Sequence, residues 1–142
     1  MPDARISQDA AIVLALAETA VPFAASLEDE AERWVRVMRM HGQVGAALQG
    51  LGVGEAPLET IAQPAEAREA HQRALGRTSV NAVASAAGAL ARERGAGVVT
   101  TVDVLFAVME LYGSAFDRAL YIRGAEREEL VERLASTSDV AV

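Results

Sequence analysis

The sequence predicts an all-α protein, a single domain made of two pseudo-twofold-related four-helix repeats. Three observations lead there: the composition, the spacing of the apolar residues, and an echo between the two halves of the chain. Of 142 residues, 51% are hydrophobic but only 4% are aromatic. Small apolar residues suited to closely packed helices therefore dominate over strand formers. The length suits one domain with a sizeable core.

In chain order, Ser7 is placed to cap a first helix. Its Ile12, Val13, Leu16, Ala17 and Ala20 recur at helical spacing, and Pro22 ends it. In "SLED" (26–29) Ser26 reads as an N-cap. Glu28, Asp29 and Glu30 then occupy the first turn, where the helix dipole favours negative charge. The helix through "EAERWVRVMRMHG" turns Trp34, Val37, Met38 and His41 inward. Arg33, Arg36 and Arg39 form another stripe, paired with nearby acids. Gly42 is read as its end. "QVGAALQGLGVG" (43–54) predicts a short helix, and "APLETIAQP" (56–64) another, broken by Pro64. Residues 64–78 read as a polar linker. The next helix starts at Ser79, passes Val83, Ala87 and Leu90, and stops at Gly95. "GAGVV" reads as a loop before "TTVDVLFAVMEL" (100–111). Two further helices follow, "GSAFDRALYIRG" (113–124) and "AEREELVERLA" (125–135), and then a frayed tail.

The halves echo one another. Val13 and Ala17 answer Val83 and Ala87, and "VM" at 37–38 recurs at 108–109. Leu48, Gly52 and Leu58 recur as Leu120, Gly124 and Leu130. The order is kept along the whole chain, as an internal repeat requires. Within the single domain of residues 1–142, repeat 1 covers 6–63, the linker 64–78, repeat 2 79–136 and the tail 137–142.

Several functions are excluded. The net charge of −7 argues against nucleic acid. No cysteine is present, so there are no disulfides, thiolate metal sites or cysteine nucleophiles. All 13 basic residues are arginine, and a phosphate-binding loop of the Walker type needs lysine. "MPDARISQDA" lacks the features of a signal peptide, and no apolar run is long enough to span a membrane. The expected location is cytoplasmic, with no membrane partner. His41 and His71 lack ligand spacing, so neither metal nor cofactor is expected, and no catalytic residue.

Each half resembles the repeat of the Clp N-terminal domain, the double four-helix module at the front of Clp unfoldases. The second half carries the likeness best, through "SVNAVASAAGALARERGAGVVTTVDVLFAVMELYGSAFDRALYIRGAEREELVERL". It is most similar to the ClpA type. In the first half "SQDAAIVLALAETA" matches the opening helix. "EAERWVRVM" stands where the family has T-V-E-H-L-L-L-A-L, with Glu30 for the usual Thr, Glu32 keeping the acid and Arg33 for the His. In the second half Thr100 keeps the threonine, Val102 stands where some members carry Glu, and Asp103 replaces the His or Asn.

The resemblance implies a non-catalytic module that docks adaptor proteins or substrate peptides for an ATP-dependent unfoldase, and it implies a Clp ATPase as a further partner. A free-standing regulator or competitor of an unfoldase is the alternative. An acid/base enzyme would need convergent ionisable groups that the sequence does not offer. Some members bind phosphorylated arginine through the motif's acid; only Glu32 matches that position, and no such site is expected. The candidate partner-binding residues are Glu28, Glu30, Glu32 and Arg33 at the first helix mouth, and Thr100, Thr101 and Asp103 at the second. Ile6 and Val80, at the starts of the two first helices, would flank a groove between the repeats. Thr100 and Asp103 also have the spacing of a capping box, and the two roles can coexist.

Overall fold

Ser7 opens the first helix as its spacing predicts: its hydroxyl accepts the Ala10 N–H at 3.1 Å. The computed structural model describes residues 5–24, 26–53 and 76–141. Among them are seven α-helices: α1 (Gln8–Ala20), α2 (Leu27–Met38), α3 (Gly42–Gly50), α4 (Gly76–Glu93), α5 (Thr101–Tyr112), α6 (Ser114–Ile122) and α7 (Arg127–Ala141). The protein is predominantly helical. None of these helices is long and apolar enough to cross a membrane. The helix expected at 56–64, most of the linker, Leu58 and His71 lie outside the described residues.

Pro22 acts two residues ahead of itself. Helix α1 stops at Ala20, and Val21–Phe23 tighten into a 3₁₀ turn, because a proline N–H is missing from the ladder. Ser26 caps α2 by accepting the Asp29 N–H at 3.1 Å. "GAGVV" is not wholly a loop: Val98–Val99 (β2) pairs in parallel with Arg5–Ile6 (β1). Arg5 N–H donates to Gly97 O and Ser7 N–H to Val99 O, both at 2.9 Å. This clip ties the start of α1 to the start of α5.

Three boundaries differ from the sequence reading. Helix α4 begins at Gly76 rather than Ser79, since neither Arg77 nor Thr78 interrupts a helix. Helix α7 continues to Ala141 through the predicted tail, which contains neither Gly nor Pro. Gly42 does not end α2, which closes at Met38; it is the first residue of α3. Gly42 has φ +69°, a conformation that disfavours side chains. A Cβ there would lie 2.8 Å from Thr101 Oγ1 and 3.2 Å from Asp9 Cβ. Gly42→Ala should therefore destabilise the protein by about 1–3 kcal/mol. Urea denaturation checks this, and an unchanged midpoint would contradict it.

One apolar core joins both halves. Helix α4 lays Val80, Val83, Ala87 and Ala91 inward at helical spacing, packed chiefly on α5. Helix α2 lies along α6 and also touches α1 and α5. With neighbours on several sides it buries Trp34, Val35 and Met38, and Glu30 and Glu32 with them. Helix α3 rests on α5 and α7.

Candidate functional site

The acidic turn of α2, expected as a docking face, lies against the second half of the chain. Glu30 is fully buried, and its Oε1 accepts the Tyr112 hydroxyl at 2.7 Å. The same Tyr112 oxygen accepts the Trp34 indole N–H at 3.1 Å. Glu32 is 9% exposed, and its Oε1 accepts from Arg123 at 3.0 Å; the Arg123 side chain is itself only 3% exposed. Arg36 reaches Glu32 from the solvent side at 3.7 Å. An ion pair this deep loses hydration on both partners, so either charge left alone would be costly.

The remaining charges of this turn lie nearer solvent. Asp29 holds Arg33 at 3.2 Å, and Arg33 also donates to Ala20 O at 3.0 Å, tying α2 to the end of α1. Glu28 meets Arg118 of α6 at 2.9 Å, with both side chains well exposed. A pair so exposed contributes little to stability and can exchange partners. Of the three candidate glutamates, Glu28 alone is open to another molecule. The arginine stripe divides as well: Arg39 donates to Val53 O at 2.9 Å and pairs with no acid among the described residues.

The mouth of α5 is a cap. Asp103 Oδ2 accepts the Thr100 N–H at 2.9 Å and, more loosely, the Thr100 hydroxyl at 3.4 Å, within a capping-box arrangement. Arg94, at the end of α4, grips both Asp103 oxygens with Nε and a terminal nitrogen. Burial alone would raise the Asp103 carboxyl. The hydrogen bonds from Arg94 and from Thr100 N–H, with the guanidinium charge, outweigh it and hold the carboxyl below its ordinary value. The bond to Asp103 likewise raises Arg94, against the cost of burial.

Because the folded carboxyl is depressed, the stability it supplies is present at neutral pH and lost as pH falls through the folded value. Asp103→Asn should thus be less stable than the parent near neutrality, with the gap closing in acid. Thermal melting against pH tests this, and a gap that persists or widens in acid would refute it.

Thr101 belongs to a different helix. It is 3% exposed, and its hydroxyl accepts the Val44 N–H of α3 at 3.5 Å. His41, the residue before α3, makes no capping bond of its own, so Thr101 serves that helix from across the chain. The two seam residues part company: Val80 is 2% exposed and belongs to the core, while Ile6 is 51% exposed on the β-clip. The two residues thus differ in accessibility. Val80 and Asn81 of α4 line a cleft with Glu18, Thr19 and Pro22.

The sequence reading missed Tyr112, Arg123 and Arg118, the second-half partners of the α2 acids. One signal was present: Glu30, Trp34 and Met38 are four apart, so the stripe that buries Trp34 also carries Glu30 inward. No protein-family model matches the chain, and no curated protein matches it either.

Proposed function

We propose that the protein is a non-catalytic docking module of the Clp N-terminal type, holding adaptor proteins or substrate peptides for an ATP-dependent unfoldase. One observation supports this reading above the rest: the same local plan occurs twice. Helices α2 and α5 both have 12 residues, each opened by a hydroxyl residue with Asp as the third helical residue, Ser26 with Asp29 and Thr100 with Asp103. Each is followed by a helix of 9 residues, α3 or α6. Each of those closes on a glycine with positive φ, Gly52 at 85° and Gly124 at 89°. The bonds of the two turns match: Val53 N–H to Leu48 O and Ala125 N–H to Leu120 O, both 3.0 Å.

Matching the caps moves the register of the helix-opening motif. Ser26, rather than Glu30, stands opposite Thr100, so Glu28 rather than Glu32 takes the motif's acidic position. Glu28 is also the accessible acid of the turn, through its exposed pair with Arg118. On this reading a partner meets the outer edge of α2 and α6.

The test uses the purified chain as bait for a Clp ATPase, its adaptors and a purified unfolded substrate. Retention of one of these, reduced by Glu28→Arg with unchanged circular dichroism, is the expected result. Retention of none, or retention indifferent to Glu28→Arg, would overturn the reading.

A further inference from the structure

The turn between α6 and α7 carries an open, mainly apolar pocket of about 460 Å³, with Tyr121 and Ala125 among its lining residues. Tyr121 is 72% exposed, unusual for so large an aromatic ring. The charges around the pocket are mostly matched. Arg118 pairs with Glu28 at 2.9 Å and Arg127 with Asp117 at 2.7 Å. Arg127 also donates to Met109 O and Gly113 O, which holds it over the end of α5. Glu126 is the lining charge that makes no ion pair among the described residues. Its backbone N–H donates to Glu129 at 3.0 Å, which brings a second carboxylate to the same helix mouth. Among the lining residues Asp117 and Glu126 balance Arg118 and Arg127, so Glu129 is the added negative charge, offset in part by the helix dipole.

We infer that this pocket is a docking site for a basic, apolar peptide segment of a partner protein. An aliphatic side chain of the segment packs on the exposed Tyr121 ring, beside the buried Ala125, and a neighbouring arginine or lysine pairs with Glu126. Charge complementarity selects the occupant. An acidic segment would have to displace Glu28 from Arg118 or Asp117 from Arg127 and would still face Glu126, whereas a guanidinium gains Glu126 directly with the Tyr121 ring nearby. The chain's net charge of −7 favours approach of the same class of partner. The inference rests on the docking-module reading and specifies the chemistry of what is docked. It also extends the Glu28–Arg118 edge, since Arg118 belongs to both.

Nuclear magnetic resonance on the isotope-labelled full chain tests it, with two short amidated peptides as probes. One alternates arginine and leucine; the other replaces each arginine by glutamate. The arginine peptide should shift the amides of Tyr121, Ala125 and Glu126, and the glutamate peptide should not. Tyr121→Ala and Glu126→Gln, both at exposed positions, should each weaken binding by about tenfold. Equal binding of the two peptides, shifts confined to another face, or no binding would each overturn the site. Binding here without retention of an ATPase, adaptor or unfolded substrate would leave the pocket standing and remove the unfoldase role. Retention of those partners without shifts here would do the reverse.

Discussion

Trp34→Ala should destabilise the protein by about 3–5 kcal/mol. Trp34 is fully buried and is the largest of the enclosed side chains, so its removal leaves a void that the helices around it cannot close. The indole also carries a polar tie, donating to Tyr112, which in turn donates to Glu30. The substitution strips a donor from the buried Tyr112 oxygen, which adds to the cavity cost. Tyr112→Phe separates the two effects. It keeps the ring, removes the hydroxyl shared by Trp34 and Glu30, and should cost about 1–3 kcal/mol. Urea unfolding followed by circular dichroism measures both variants. A loss below about 1 kcal/mol for Trp34→Ala would contradict the packing described.

Arg123→Ala should cost about 3 kcal/mol, the lower end of the range for unpairing a buried charge. Among the described residues Glu32 would then keep Arg36 alone, at 3.7 Å and facing solvent. The low end applies because the Glu32 side chain retains 12% exposure, so some water reaches it. Glu28→Gln makes the contrast. Its pair with Arg118 is exposed on both sides, and its loss should change stability by no more than about 0.5 kcal/mol. If the two substitutions cost the same, the distinction between an inward and an outward face of α2 fails.

Local features of this fold were legible in the sequence, and distant ones were not. Ser26 and Asp29, or Thr100 and Asp103, lie three residues apart, and that spacing alone dictates a helix cap. The inward stripe of α4, Val83 with Ala87, follows from periodicity in the same way. The ties of α2 are of another kind. Trp34 and Tyr112 are separated by 78 residues, Glu30 and Tyr112 by 82, and Glu32 and Arg123 by 91. No local pattern marks such pairs; the four-residue spacing of Glu30, Trp34 and Met38 signalled that Glu30 turns inward, but nothing local named its partner or marked Glu32. The acidic turn therefore read as a face for another molecule, when most of it meets the protein's own second half. Thr101 misled similarly: beside Thr100 it reads as part of one helix mouth, yet it serves α3. The pocket at Tyr121 gave no sequence signal, because an exposed aromatic and a buried one are spelled alike.

Glu30 and Glu32 tie α2 to the second half of the chain, and Glu28 stays open at its edge. A double-mutant cycle on Glu32 and Arg123 tests this most directly, with Glu32→Ala, Arg123→Ala and the double variant compared by urea unfolding. A coupling energy above about 1.5 kcal/mol, as for a close and desolvated charge pair, is the expected result. Coupling near zero, as for a pair loose in solvent, would contradict this and place Glu32 at the surface.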